Sequence, residues 1–270
     1  MKKVIILFIG LLFLNCEDPV DLKLNDSNQI LVVDAFINWI KEDQTSEQEV
    51  ILSLTSPYFQ ENYKSASGAN VFIEDEEGKI YIFNEEGQSG RYLTLDTIPY
   101  SLDKVFTLNI EYNGQYYSGK ESLISVSDIN RVEQEKVNFF GRESIQLQAN
   151  SLDPIEERNF SFFEFKSDKL KKTEYNIYRD DFSSGTEYYG FLLSDELEPG
   201  DKVQIRQYGL SNIAYNFWYL LIFQNTEQGG PFQTTPVNII GNMVNQSDSK
   251  LNPLGYFRIS EVSEILYTVK

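Results

Sequence analysis

The stretch VFTLNIEYNGQYYSGKE, residues 105–121, consists of two runs of alternating apolar and polar residues hinged on Asn113-Gly114. A period of two puts every second side chain on one face of a strand. Asn-Gly suits a two-residue type I′ turn, whose central residues both need positive φ. The stretch is therefore a β-hairpin, and the chain before it repeats the pattern. Strands are expected at Ile30 to Trp39, Val50 to Thr55, Asn70 to Glu74, Lys79 to Phe83 and Arg91 to Leu95, with apolar positions alternating as in Val50, Leu52 and Leu54. Asp75-Glu76-Glu77-Gly78 provides a further turn. Short strands with turns every ten residues or so specify an immunoglobulin-like β-sandwich over residues 28–125.

Ser125 to Lys136 is polar, carries both signs of charge and has little apolar periodicity. It reads as the boundary to a second β-rich domain, residues 126–270, built as a curved sheet or partly open barrel. Strands are expected there at Ser144 to Ala149, Asn159 to Lys166, Tyr175 to Arg179, Tyr188 to Leu193 and Lys202 to Tyr208, then a closing pair at Tyr256 to Ile259 and Ile265 to Val269. Glu198-Pro199-Gly200-Asp201 reads as a turn. One helix is expected over residues 211–228, capped by Ser211 and ended by Gly229-Gly230. Packed on the sheet, it should bury Phe217, Trp218, Leu220 and Phe223. It has no basic face for lying on a membrane.

At the start of the chain, Lys2 and Lys3 precede an apolar run, Val4 to Leu14, that stops at Asn15-Cys16-Glu17-Asp18. A run of eleven residues falls short of the roughly 20 needed to cross a bilayer. It reads as a lipoprotein signal peptide, residues 1–15, removed to leave Cys16 as an acylated first residue on a tether spanning residues 16–27. Phe13 and Asn15 make the lipobox a relaxed one. Several acyl chains on one residue give lasting attachment, at about 0.8 kcal/mol per buried methylene. The acidic pair after Cys16 resembles the signal that sends Bacteroidota lipoproteins to the outer face of the outer membrane.

Removing Lys2 and Lys3 takes the formal charge from −18 to −20. A polyanion would be repelled, which excludes nucleic-acid binding by phosphate neutralisation. With no histidine in the chain, Ser-His and Cys-His nucleophile pairs and His-ligated zinc are also excluded. Carboxylates, Tyr and Lys remain for any chemistry.

The residues available for such chemistry form no recognised pattern. Gly87-Gln88-Ser89-Gly90 lacks the spacing of a nucleophile elbow, and neither Ser167-Asp168-Lys169 nor Asp248-Ser249-Lys250 has S-x-x-K spacing. Asp180-Asp181 and Glu156-Glu157 offer oxygens for calcium or for glycoside hydrolysis, without an EF-hand loop around them. Asp96-Thr97-Ile98 is similar to the short Bacteroidota O-glycosylation sequon. The best recognition segment is Tyr175 to Tyr189, where Tyr178, Arg179, Phe182, Tyr188 and Tyr189 surround Ser183-Ser184-Gly185. As a hairpin, the same segment would use its aromatics to finish a core. No catalytic, cofactor or metal residue is assigned, and Cys16 alone is assigned a role, as the lipidation site.

Gly229-Gly230-Pro231-Phe232, Pro236, Gly241-Asn242-Met243 and Leu254-Gly255-Tyr256-Phe257 resemble the C-terminal signature of a Bacteroidota lipoprotein family known as domain-of-unknown-function family 4249. Cys16-Glu17-Asp18-Pro19, Leu31-Val32-Val33-Asp34 and Ser67-Gly68-Ala69-Asn70-Val71 are similar to its opening motifs. The resemblance implies an outer-membrane lipoprotein, often encoded beside a TonB-dependent transporter, with no established enzymatic activity. Gly241 and Gly255 are expected at positive φ in loops.

Three functions are compatible with this reading. The first is a non-catalytic, surface-exposed lipoprotein that captures ligand for, or gates, a TonB-dependent β-barrel receptor. The second is a freestanding adhesin or surface scaffold, and the third is a carboxylate-based glycan hydrolase. Mass spectrometry of the protein from native membranes is expected to find residues 1–15 gone and Cys16 acylated; a bare thiol or an intact leader would refute the anchor.

Overall fold

The computed structural model describes residues 29–56, 63–102, 104–154, 159–180, 185–226 and 238–270. The expected leader, Cys16 and the tether lie outside them. The strands are β1 (Leu31–Ile40), β2 (Thr45–Leu54), β3 (Lys64–Ser65), β4 (Asn70–Asp75), β5 (Ile80–Glu85), β6 (Arg91–Leu93), β7 (Val105–Tyr112) and β8 (Gln115–Ser122). They continue as β9 (Ile129–Phe139), β10 (Arg142–Leu152), β11 (Phe160–Lys166), β12 (Glu174–Arg179), β13 (Glu187–Ser194) and β14 (Lys202–Gly209). Helix α1 (Asn212–Thr226), β15 (Met243–Asn245) and β16 (Leu254–Thr268) complete the order.

The first half is an immunoglobulin-like sandwich. One layer runs β16-β1-β2-β6 and the other β5-β4-β7-β8-β15. Strand β5 changes layer, pairing with β4 through residues 80–83 and with β6 through Asn84 and Glu85. The hairpin quoted above is present, with Tyr112 opposite Gln115 and positive φ at Asn113 and Gly114. Alternating residues fill the interior: Val33, Ala35 and Ile37 from β1, Val50 and Leu52 from β2, Phe106, Leu108 and Ile110 from β7. At the β4–β5 turn Asp75 Oδ1 accepts the N–H groups of Glu77 and Lys79, each at 3.0 Å. Burial acts to raise the Asp75 carboxyl, but those donors and Lys104 outweigh it and hold the group below the usual carboxylate range.

The second half is another two-layer arrangement, β12-β11-β14-β16 against β13-β10-β9. Its core takes Leu147, Ala149, Phe163, Phe165, Leu192, Val203 and Ile205. The layers meet along one side, where Asn176 Oδ1 in β12 accepts Phe191 N–H in β13. The opposite face of the first layer carries α1, so Phe160 and Phe162 face the helix while Phe163 and Phe165 face the sandwich interior. Ser211 caps α1 by accepting Ala214 N–H at 3.2 Å.

Three expectations are corrected, and the boundary stretch gains a strand. Leu220 and Phe223 are exposed: with Ala214, Phe217 and Leu221 turned to the sheet, the helical period of 3.6 carries residues 220 and 223 to the far side. Most of the polar stretch Ser125 to Lys136 is strand. It opens β9, an edge strand on which only Ile129 and Val132 pack inward, so its charges masked the alternation. The closing pair is a single strand, because the polar residues in its middle are satisfied by tertiary partners that a sequence does not reveal. Ser260 Oγ donates to Gly209 O at 2.6 Å, Ser263 Oγ donates to Glu42 Oε1 at 2.9 Å, and Glu264 pairs with Arg206. Gly255 has φ 94°, but Gly241 is not at positive φ and is needed for space instead.

Residues assigned by sequence to the second domain also complete the first core. Strand β1 pairs in parallel with β16 from Val32 opposite Leu254 to Ile40 opposite Val262, and Met243, Phe257 and Ile259 pack in the first sandwich. From Val262 onward β16 pairs with β14. One strand thus belongs to both sandwiches. Across the joint, Arg206 of β14 donates to both oxygens of Glu47 in β2, at 2.8 and 2.9 Å.

The Gly241-Asn242-Met243 motif holds the start of β16. Asn242 Nδ2 donates to Phe257 O at 2.7 Å, and its Oδ1 accepts Phe257 N–H at 2.9 Å. A Cβ on Gly241 would collide with the Gly255 carbonyl, and one on Gly255 with the Val33 carbonyl. Gly255→Ala combines that collision with a φ that L-residues avoid. It is expected to lower unfolding stability by about 3 kcal/mol or more, measured by denaturant titration; an unchanged midpoint would refute this account of the motif.

Candidate functional site

A cavity of about 440 Å³ opens where β16 changes partner, lined by Trp39, Ile40, Lys41, Gln44, Tyr100 and Glu261. Trp39 and Ile40 end β1, and Lys41 and Gln44 belong to the turn that follows, in which Gln44 has φ 52°. Tyr100 lies in the β6–β7 connection, and Glu261 precedes the switch residue of β16. The Trp39 and Tyr100 rings meet edge to face, 5.6 Å between centroids and 86° between planes. This is a favoured aromatic geometry that leaves an apolar corner beside polar groups.

Those polar groups are already engaged. Glu261 Oε1 accepts Tyr100 O–H at 2.9 Å, and Oε2 accepts Val126 N–H at 2.9 Å. Lys41 Nζ donates to Val126 O at 3.0 Å, pairs with Asp128 at 2.5 Å and lies 3.8 Å from Glu261. Burial first, and then the Glu261 hydrogen bond and charge, push the Tyr100 phenol up to about 12. With the ammonium surrounded by acceptors and the carboxylate by donors, the walls are fixed in place. The pocket offers an apolar surface with oriented dipoles and no uncompensated positive charge, which suits an uncharged polar molecule with an apolar face.

The residues singled out by sequence fall elsewhere. Ser89 Oγ donates to Glu86 O and accepts Arg91 N–H, inside a turn. Ser167 Oγ donates to Lys202 O, and Asp248 Oδ1 accepts Lys250 N–H. Thr97 is exposed. Tyr178 and Tyr188 stack at 4.0 Å against the second core, while Tyr189 stays half exposed on the outside. Phe182, Ser183, Ser184, Asp181, Glu156, Glu157 and the Gly229-Gly230-Pro231-Phe232 motif lie outside the described residues, as does Cys16. Among the described residues no three acidic or sulfur ligands converge on a metal position.

Sequence reasoning missed the pocket. Trp39, Tyr100 and Glu261 come from three distant segments whose juxtaposition depends on the parallel β1–β16 pairing. The one local hint was a Trp at the end of a strand, which is equally a core signal.

The Tyr100 pair gives a measurable quantity. Because the phenol's folded pKa lies above its unfolded value, the stabilisation is fully present below about 10 and lost as pH rises through about 12. Tyrosine ring-carbon NMR should show Tyr100 titrating late, alongside the buried phenols of Tyr208 and Tyr256, which burial also pushes up. In Glu261→Gln the Tyr100 midpoint should fall, with burial still keeping it above the ordinary value; no movement would mean that Glu261 does not act on it.

A family model described as "Domain of unknown function (DUF4249)" matches residues 17–265. No curated protein matches the chain. Among solved structures it is similar to a two-domain fibronectin type-III segment from chicken tenascin, with 12% identity, 69% of this chain and 93% of that chain covered, and a TM-score of 0.21.

Proposed function

Since the chain belongs to the DUF4249 family, we propose that it is a non-catalytic, surface-exposed outer-membrane lipoprotein that captures a small ligand for, or gates, a TonB-dependent β-barrel receptor. The observation that carries the ligand-capture part is the Trp39–Tyr100 corner at the joint, a concave apolar site with oriented polar groups of the kind small molecules occupy. The anchor is supported by the lysine-led apolar run that ends at Cys16. Tethering in the receptor's own membrane raises effective concentration, so a weak contact is enough to hold the pair together.

The freestanding-adhesin reading has one observation of its own. Phe139 and Phe140 stand at the β9–β10 tip with rings 4.6 Å apart, Phe140 is 91% exposed, and its φ is 48°. Such a position suits Asn or Gly, and an exposed bulky residue there suits a docking contact.

Affinity purification from native membranes separates the two. The receptor reading expects a β-barrel receptor at near-equal amounts. Lipoprotein recovered alone would sink it in favour of the adhesin. Trp39→Ala should leave the receptor bound while abolishing ligand uptake, so uptake at wild-type levels would remove the pocket from the argument.

A further inference from the structure

The sheet face that carries α1 holds a second polar cluster. Side chains alternate across a strand, so Asp34 of β1, Arg258 of β16, Glu164 of β11 and Tyr175 of β12 share that face with Ile40, Tyr256, Phe162 and Tyr208 of the helix-side core. Strands β14 and β16 separate those of Asp34 and Glu164. The charges of both nevertheless act on Arg258 and on the Tyr175 phenol. Twist accumulated from β1 to β12 curls the sheet, and the group lines a cleft.

Arg258 is its floor. The residue is 9% exposed, and its guanidinium lies over the Tyr208 ring at 4.3 Å. Among the described residues its one hydrogen bond runs from Nη1 to Ser260 Oγ at 3.4 Å, and no carboxylate pairs with it. A guanidinium has far more donors than that bond uses. Its Nε and Nη2 are unbonded yet not sealed from solvent, so they reach open space. Arg206 on the same face behaves differently, closing onto Glu47 at 2.8 and 2.9 Å. A purely structural arginine would close in the same way.

The walls of the cleft carry the opposite charge. Asp34 is exposed, Glu164 is half-buried and Tyr175 is 40% exposed. Burial raises Asp34 despite Arg258, and raises Glu164 despite Arg206, Arg258 and Lys166. A carboxyl open to water that still feels burial stands at the mouth of a concave surface. Two carboxylates that face a guanidinium without touching it leave a gap for a molecule offering an anion to the floor and a cation to a wall. A neutral hydroxyl compound would leave the desolvated charges unmatched, and a simple anion would meet the carboxylates. The Tyr175 ring, stacked on Phe162 at 5.2 Å between centroids, adds an apolar surface beside them.

We propose that this cleft binds a free amino acid or short peptide as a zwitterion, its carboxylate on Arg258, its ammonium on Asp34 or Glu164 and a side chain against Tyr175. The site goes beyond the Trp39–Tyr100 pocket, since Arg258 and Glu261 point to opposite faces of β16, and it holds whether or not the chain partners a receptor.

The test melts the full chain in a mixture of free amino acids and in a mixture of dipeptides, against neutral sugars and sodium acetate at matched ionic strength. At about 100 times Kd, the melting temperature should rise by roughly 5–10 °C in a zwitterion mixture. Titration calorimetry with the strongest component should give one molecule bound per chain. Acetylating its amine, or amidating its carboxylate, should each weaken binding by about tenfold or more. Asp34→Asn and Glu164→Gln together should do the same, as should Arg258→Gln. Should Arg258→Gln fail to fold, the wall variant and the amidated ligand still decide. The proposal is overturned if neither zwitterion mixture shifts the melt, if sugars or acetate shift it as much, or if the acetylated and amidated forms bind as well as the parent. Binding that survives the wall variant would place the ligand elsewhere and overturn it equally.

Discussion

The hydrogen-bond ladder of β16 is the constraint on which the rest of the molecule depends. Its first half pairs in parallel with β1 and its second half antiparallel with β14, so a single extended backbone crosses from one sandwich interior into the other. A hinge at Val262 would have to break ladder bonds on both sides. The Arg206–Glu47 pair reinforces the same joint: burial opposes the charge of Glu47, yet the guanidinium bonds hold that carboxyl below its ordinary range. Because β1 opens the ladder and β16 closes the chain, the pairing joins residues more than 200 positions apart. Contacts of that separation form slowly, since a long loop must close before they contribute.

A ladder running through the joint explains why the pocket there is preorganised. Trp39 and Glu261 sit opposite each other in the parallel register, and Lys41 N–H continues the pairing by donating to Val262 O at 2.9 Å. Tyr100, Glu261 and Lys41 are already hydrogen-bonded or ion-paired, so little ordering cost remains for a ligand that uses the apolar corner. The buried polar groups of β16 serve specificity in a similar way. Ser260, Glu261 and Ser263 each have a fixed partner, and a register slip would leave every one of them unsatisfied.

The family-like motifs that lie among the described residues are architectural. Ser67 and Gly68 donate to Glu85 Oε2, Ala69 N–H donates to the Tyr92 hydroxyl, and Asn242 brackets Phe257 on both its backbone groups. Glycines at 241 and 255 allow backbones to touch. These residues hold strands in place, and the lining of the cavity comes from other positions.

Period-two alternation and turn chemistry are local properties, and they made most strands, the Asn113-Gly114 hairpin, the capped helix and the mainly β class readable from the sequence alone. The absence of histidine was equally local, and it bounded the available chemistry. Only the tertiary structure decided that Leu254–Thr268 is one strand, that β9 begins inside the stretch read as a domain boundary, and that α1 leaves Leu220 and Phe223 outside. The same holds for the Trp39–Tyr100–Glu261 corner. In each case the outcome turns on which distant group neutralises a polar side chain or covers an apolar one, and a pattern of neighbours along the chain carries no information about partners a hundred residues away.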